Sequence, residues 1–83
     1  MKIISTVGAW AKFFELRRFI YPDICKRLIR LHDKFPRRTA NIMDMEVSSA
    51  FPDGCTEDEY IEYLNGKFAD AFDEFELRVR KSR

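Results

Sequence analysis

The chain has 83 residues, of which 46% are hydrophobic and 35% are charged, and its formal net charge at pH 7 is +1. This length predicts one domain over residues 1–83, and the apolar content is too high for an intrinsically disordered chain. No apolar run approaches the roughly 20 residues that a membrane-spanning helix needs, so we expect a soluble protein without a membrane partner.

The first predicted helix covers residues from about 5 to 20 and is apolar over more than half of its circumference. Its apolar side chains form two adjacent stripes, one with Val7, Trp10 and Phe14 and the other with Phe13, Leu16 and Ile20. A helix with so wide an apolar surface needs partners on two sides, and one of them is expected to be a second molecule. The candidates for such self-association into a homo-oligomer are Trp10, Phe13, Leu16 and Ile20.

The second predicted helix begins at Pro22 and ends before Pro36. Proline suits the first helical turn, where its missing N–H leaves no hydrogen bond unmade, and it ends a helix that precedes it. The apolar face between the two prolines follows the helical period and contains Ile24, Leu28, Leu31 and Phe35, widened by Cys25 and Ile29. The opposite face is basic and contains Lys26, Arg27, Arg30 and Lys34.

Residues 39–51 fit two patterns. Apolar and polar residues alternate over residues 43–48 as in a strand, whereas Thr39 as a cap, followed by apolar residues at helical spacing, indicates a short helix. We favour the helix, because a lone strand here has no evident pairing partner except residues 2–5. The alternative fold is α+β, with a short strand pair around residues 2–5 and 42–48.

The last predicted helix begins at the capping box Thr56-Glu57-Asp58-Glu59, in which Thr56 and Glu59 bond to each other's backbone N–H. The apolar residues that follow recur at steps of three and four and are Ile61, Leu64, Phe68, Ala71, Phe72, Phe75 and Val79. Gly66 weakens the helix, since Gly costs about 1 kcal/mol relative to Ala in a helix interior. The stripe keeps its phase across this point, so we expect one continuous helix.

These elements predict an all-α fold, a small bundle of about three main helices plus a short fourth helical segment. Its charge is divided along the chain. Residues 1–43 contain ten Lys or Arg and three Asp or Glu, whereas residues 44–83 contain five and eleven, so the halves carry formal charges of +7 and −6. The bundle is therefore expected to have a basic half, 1–43, and an acidic half, 44–83.

Few residues suit catalysis or metal binding. His32 is the single histidine, and Cys25 lies about 10.5 Å from it along a helix, too far for both to ligate one metal ion. A pocket of about 300–1,000 Å³, which an active site commonly needs, is not expected in so small a bundle. We therefore expect no enzymatic activity, no metal site and no cofactor.

The two cysteines are too few for the disulfide framework of a small secreted domain, which favours reduced thiols and a cytoplasmic protein. Cys55 follows Gly54 just before the last helix, where an exposed thiol would be reactive. No base is placed beside it by the sequence, so an ordinary turn cysteine is the favoured interpretation.

The division of charge has three explanations. In the first, the basic and acidic helices pack side by side and their charges pair, which assigns no function. In the second, the protein binds nucleic acid through the cations of its basic face, which are Arg17, Arg18, Lys26, Arg27, Arg30, Lys34, Arg37 and Arg38. The acidic half opposes this second explanation, because its carboxylates repel the same phosphates unless they lie far away.

The third explanation, which we favour, is docking onto another protein. The outer face of the last helix is acidic and includes two side chains that project as anchors, Tyr63 and Leu77. The candidate contact residues are Glu59, Glu62, Tyr63, Asp70, Asp73, Glu74 and Leu77. A row of carboxylates on a rigid helix suits a basic, nucleic-acid-binding groove on a partner. The sequence thus favours a non-enzymatic regulator, inhibitor or adaptor.

Overall fold

The computed structural model describes residues 8–81, which contain five α-helices, and the predicted all-α fold is confirmed. The helices are α1 (Ala9–Leu16), α2 (Pro22–Lys34), α3 (Pro36–Ala50), α4 (Glu57–Tyr63) and α5 (Phe72–Lys81). A 3₁₀ turn over Arg17–Phe19 follows α1, and a π-helical segment over Leu64–Phe68 leads from α4 towards α5. Within residues 8–81, no helix is both long and apolar enough to cross a membrane.

The first helix is shorter than predicted. Its described part begins at Ala9 and becomes a 3₁₀ turn after Leu16, while residues 5–7 lie outside the described range. The Ala9 N–H donates to the Asp44 carboxylate of α3 at 3.1 Å, so an acid 35 residues away satisfies one free donor of this helix end. Burial raises the pKa of Asp44, and the bond from Ala9 opposes that rise.

The second helix has the predicted bounds, and Pro36 has a second role. Pro36 ends α2 and also occupies the first turn of α3, so residues 39–51 belong to a helix that begins three residues before Thr39. The proposed Thr39 cap is therefore wrong, and Thr39 is instead a buried residue of the helix interior. The alternative strand over residues 42–48 is wrong too, because a helical face buries Ile42, Met43 and Val47. Its proposed partner, residues 2–5, lies outside the described residues.

The last predicted helix is divided, because α4 ends at Tyr63, a π-helical segment covers Leu64–Phe68 and α5 begins at Phe72. The expectation of one continuous α-helix is therefore wrong, although backbone hydrogen bonds bridge the segments. Ala71 and Phe75 each donate a backbone hydrogen bond four residues back, to Lys67 and Ala71 respectively, at 3.1 Å. The buried residues from Tyr60 to Phe72 are spaced by four, a spacing that drifts by about 40° per step around an ideal α-helix. A π-helical turn holds more residues, so it reduces this drift and keeps the buried stripe on one side.

The core takes one large, fully buried side chain from each helix. These side chains are Phe13, Leu28, Met43, Tyr60 and Phe72. The Tyr60 hydroxyl donates to the Ala9 carbonyl at 2.5 Å, which ties α4 to the start of α1, and burial raises the pKa of Tyr60 well above its ordinary value. Ring packing continues further along the chain, where the Phe68 and Phe75 rings have centroids 4.9 Å apart. This aromatic interior holds the outer faces of α4 and α5 in place.

Candidate functional site

Part of the acidic face pairs with the basic helix. An Arg27 guanidinium nitrogen lies 2.7 Å from an Asp73 carboxylate oxygen and 3.5 Å from one of Glu76, so α2 is joined to α5. The hydrogen bond to Asp73 raises the pKa of Arg27. The Asp73 side chain is 93% exposed, so the pair is worth about 0–1 kcal/mol. A second pair, Arg78 with Glu46, joins α5 to α3.

The remaining carboxylates of the acidic face are available at the surface. Glu62, Asp70 and Glu74 are exposed and make no ion pair with any described residue. Glu59 is exposed but accepts a hydrogen bond from the Thr56 N–H at 2.8 Å, as the predicted capping box requires. Of the five predicted acids, Asp73 is therefore ion-paired, Glu59 is engaged in the capping box, and the other three have no ion pair with a described residue.

The two predicted anchors differ in their surroundings. Leu77 is exposed, whereas Tyr63 is half-buried and does not project freely into solvent. The Tyr63 ring meets Phe51 edge-on at 5.5 Å and lies 6.0 Å from Phe68, and burial raises the pKa of its hydroxyl. The Tyr63 ring is thus held in place by neighbouring rings and leaves only part of its surface exposed to solvent.

Tyr63 lines an open cleft of about 410 Å³ between the end of α3 and the α4 face, which we call the Tyr63 cleft. Its lining residues are Ala50, Phe51, Glu59, Glu62, Tyr63, Gly66 and Lys67. A smaller cavity of about 70 Å³ shares Tyr63 and Lys67 with the cleft and extends past Ala71 to Glu74 and Arg78. The arrangement places aromatic surface beside carboxylates, which suits the aliphatic stem and cationic head of Arg or Lys.

The Asn65-Gly66 pair shapes this cleft, and sequence reasoning treated it only as a weak point in a helix. A Cβ atom built on Gly66 meets no atom within 4 Å apart from its chain neighbours and the adjacent backbone of its own helix, so a side chain at this position would enter open space at the cleft. The Asn65 side chain faces elsewhere, accepting from the Tyr21 N–H at 2.8 Å and donating to the Phe19 carbonyl at 3.1 Å. The missing side chain of Gly66 is the sequence signal at this position, because it leaves room on the surface that a larger residue would fill.

The basic residues fall into two regions. Arg27, Arg30 and Lys34 line a second cleft of about 540 Å³ between α2 and α5, together with Leu31, Asp33, Glu76 and Arg80. Arg80, which the predicted basic face does not include, bonds to Glu76 at 2.9 Å. The others lie outside this cleft: Arg17, Arg18, Lys26 and Arg37 are exposed, and Arg38 is half-buried with its guanidinium 5.3 Å from the Phe35 ring centroid.

The two large clefts show that the expectation of no room for a pocket was wrong. Both clefts lie at the surface, between residues of neighbouring helices, and not in the filled core. Neither cleft is lined by His32 or by a cysteine. Their linings consist of charged side chains, ring edges and small residues.

Most of the residues proposed for self-association serve the core of this chain. Phe13, Leu16 and Ile20 are buried, because α1 packs against α3 and the Tyr60 side chain. Trp10 is half-buried, and its ring stacks on His32 at a centroid distance of 3.9 Å with the planes 1° apart. The first three side chains therefore provide no surface for a second copy, and self-association stays a prediction.

His32 and the cysteines are structural in their surroundings. The half-buried Cys25 thiol donates to the Arg17 carbonyl at 3.3 Å, and burial raises its pKa against the opposing effect of Arg17. Cys55 is buried, so the alternative of an exposed reactive thiol is wrong. No disulfide joins the two cysteines. Within residues 8–81, no group of three or more His, Cys, Asp or Glu side chains could hold a metal ion.

Comparison with known proteins adds no functional information. No protein-family model, curated protein or solved structure matches the chain.

Proposed function

We propose that the protein acts without catalysis by binding a partner protein at the Tyr63 cleft and the carboxylates beside it. The supporting observation is the cleft itself, an open space of about 410 Å³ where the Phe51 and Tyr63 rings adjoin Glu59 and Glu62. Binding sites commonly combine an apolar floor with a few polar groups that fix orientation. A role as regulator, inhibitor or adaptor follows from such a contact.

The charges around the cleft favour a basic partner. Glu62, Asp70 and Glu74 have no ion pair with the described residues, so they can accept Lys or Arg from outside. An arginine can lay its guanidinium on the Tyr63 ring and direct its N–H groups to Glu62. A nucleic-acid-binding groove presents cations in such a row, and we propose a protein with a groove of this kind as the partner.

The cleft suits binding better than catalysis. Glu59 and Glu62 are its two carboxylates, and Glu59 is already engaged at the helix N-terminus by the Thr56 N–H. General acid–base chemistry needs two groups whose protonation states differ, and the described residues place no histidine in this lining. The proposal therefore assigns the cleft to recognition.

A titration with hexa-arginine tests the site directly. We expect amide NMR shifts that concentrate at Glu62, Tyr63, Gly66 and Lys67, and much smaller shifts with hexa-glutamate. Glu62→Lys should weaken binding by about tenfold or more, and Lys67→Glu should strengthen it, because rim charges act by attraction or repulsion of the partner. Asp53→Lys is the matched control, since Asp53 is an exposed acid outside the cleft lining and its net-charge change equals that of Glu62→Lys.

The same variants then serve in capture of partners from a cell lysate. Wild type and Asp53→Lys should retain the same basic protein, and Glu62→Lys should lose it. Gly66→Gln gives an independent test, because its side chain occupies the open space of the cleft without replacing a buried group. Capture that survives both Glu62→Lys and Gly66→Gln, or peptide shifts that map to another surface, would remove the proposal.

A further inference from the structure

We propose that the exposed aromatic and arginine side chains at the end of α1 bind single-stranded nucleic acid, at a site separate from the Tyr63 cleft. We call this group the aromatic–arginine platform, and its members are Phe14, Arg17, Arg18, Phe19 and Tyr21. Sequence reasoning had singled out only its two arginines as nucleic-acid contacts. The sequence pattern places Phe14 in an apolar helix stripe and indicates no role for Phe19 or Tyr21.

The exposure of the three rings is the first observation. Phe14, Phe19 and Tyr21 are 48%, 53% and 60% exposed, whereas Phe13 beside them is fully buried. Isolated exposed apolar residues are ordinary, but here three large rings lie within eight residues of chain. Such a concentration of exposed rings along a short stretch of chain, with two arginines between them, is typical of a surface that contacts another molecule.

The two arginines make the platform cationic. The Arg17 guanidinium lies 4.2 Å from the Phe14 ring centroid, and that of Arg18 lies 5.1 Å from the Phe19 centroid. Neither arginine forms an ion pair with a described residue. Of the neighbouring acids, Glu15 is held by Lys12 at 3.4 Å, and Asp23 lies in the first turn of α2, where the helix dipole favours it. The platform therefore attracts an anionic ligand.

The backbone that carries the rings is fixed. Asn65 bonds to the Phe19 carbonyl and to the Tyr21 N–H, and buried Ile20 anchors the chain between them. Arg17 donates to the Phe14 carbonyl at 2.6 Å. Rings held on a fixed backbone lose little conformational entropy on binding, so they are suited to recognition.

Single-stranded nucleic acid matches both features of the platform. Its phosphates suit the arginines, and its unpaired bases stack on aromatic rings or on guanidinium planes. A duplex hides the faces of its bases, so it can use only the arginines. An acidic protein surface offers carboxylates to the two arginines, but it has no regular series of planar groups that could stack on the rings. The proposed occupant is therefore a single strand.

The test uses the full chain with fluorescein-labelled 15-nucleotide dT and U strands, measured by fluorescence anisotropy between 50 and 200 mM salt. Phe19→Ala and Tyr21→Ala should each weaken binding by about fivefold or more, the usual loss per stacked base. Arg17→Gln combined with Arg18→Gln should lower the slope of log K against log salt by about 1.4, since each single-strand phosphate contact contributes about 0.7. Circular dichroism of each variant checks that the fold is retained.

Matched controls separate this site from other surfaces. Met45→Ala removes a comparably exposed apolar side chain elsewhere, and Arg30→Gln with Lys34→Gln removes two cations from the α2–α5 cleft. These controls should bind like wild type. The proposal is overturned by no binding at 50 mM salt, by equal or tighter binding of a duplex, or by loss of binding only in the α2–α5 variant. None of these results tests the separate proposal that a partner protein binds at Glu62 and the Tyr63 cleft.

Discussion

Thr39 provides a sharp test of the packing. It lies in the interior of α3 with no exposed surface, and its Oγ1 has no hydrogen-bond partner among the described residues. A buried polar atom without a partner loses its bonds to water and gains nothing in return. Valine has nearly the same shape and carries a methyl group in place of the hydroxyl. We therefore expect Thr39→Val to raise the free energy of unfolding.

The size of the gain follows from the burial. An unsatisfied buried hydroxyl costs about 1–3 kcal/mol, and a buried carbon group in its place contributes about 0.8 kcal/mol. Thr and Val have similar helix propensities, so the backbone adds little. Allowing for imperfect fit of the new methyl group, the expected gain is about 1–2 kcal/mol. Each 1 kcal/mol corresponds to a rise in Tm of about 4–8 °C for a domain of this size.

Urea unfolding followed by far-UV circular dichroism and by the fluorescence of Trp10 measures this difference. The m-value should stay constant while the midpoint rises. Thr39→Ser is the matched control, because it keeps the hydroxyl and removes the buried methyl group, and it should lose about 1 kcal/mol. Lower stability of Thr39→Val would refute the reasoning and show that the hydroxyl has a partner, for example the Phe35 carbonyl that already accepts the Thr39 N–H.

Three further predictions concern the π segment and its neighbours. Gly66→Ala should stabilise the fold by about 0.5–1 kcal/mol in thermal unfolding, because its Cβ enters open space. Gly54→Ala should destabilise the fold by about 1 kcal/mol, because Gly54 has a φ of 84°. Lower stability of Gly66→Ala would contradict the open geometry at Gly66. Asn65→Ala should lower the free energy of unfolding, measured by urea titration, by about 1 kcal/mol and should speed hydrogen exchange of the Tyr21 amide. Unchanged exchange would exclude the hydrogen bond from the Tyr21 N–H to Asn65. Tyr60→Phe should cost about 0.5–1.5 kcal/mol at pH 8. Burial raises the pKa of folded Tyr60, so the folded state keeps a proton that the unfolded state releases near pH 10, and wild type should lose stability above pH 10. Tyr60→Phe should lose less stability over this range, because it lacks the Tyr60 hydroxyl while Tyr63 still has a pKa raised by burial, and equal pH profiles of the two proteins in urea titrations would refute the assignment.

Local signals predicted some elements accurately. Pro22 and Pro36 bound α2, and the capping box is present with both of its bonds, the Glu59 N–H lying 3.2 Å from the Thr56 hydroxyl. Each signal acts within one helical turn, so the order of residues suffices to detect it. Residues 39–51 lacked such a signal, since their apolar pattern fits a strand as well as a helix, and packing against α1 and α2 favours the helix.

The candidate site was predicted only in part. The carboxylates of α4 and α5 were identified from the sequence, but the Tyr63 cleft also requires Phe51 from the preceding connection and the empty space at Gly66. Asp73 belongs to the predicted face and is instead paired with Arg27, 46 residues earlier in the chain. No periodicity in the sequence specifies that contact, because it depends on how α2 and α5 pack.

The amino-acid sequence by itself determined the bounds of α2, the start of α4, the apolar stripes and the separation of basic and acidic halves, because these depend on residue type and on neighbours within about four positions. Tertiary structure decided which side chains remain available for contact. Phe13 and Phe14 are adjacent and chemically identical, yet one is fully buried and the other is 48% exposed. That difference arises from helices that meet from distant parts of the chain, and their contact decides which surfaces face solvent.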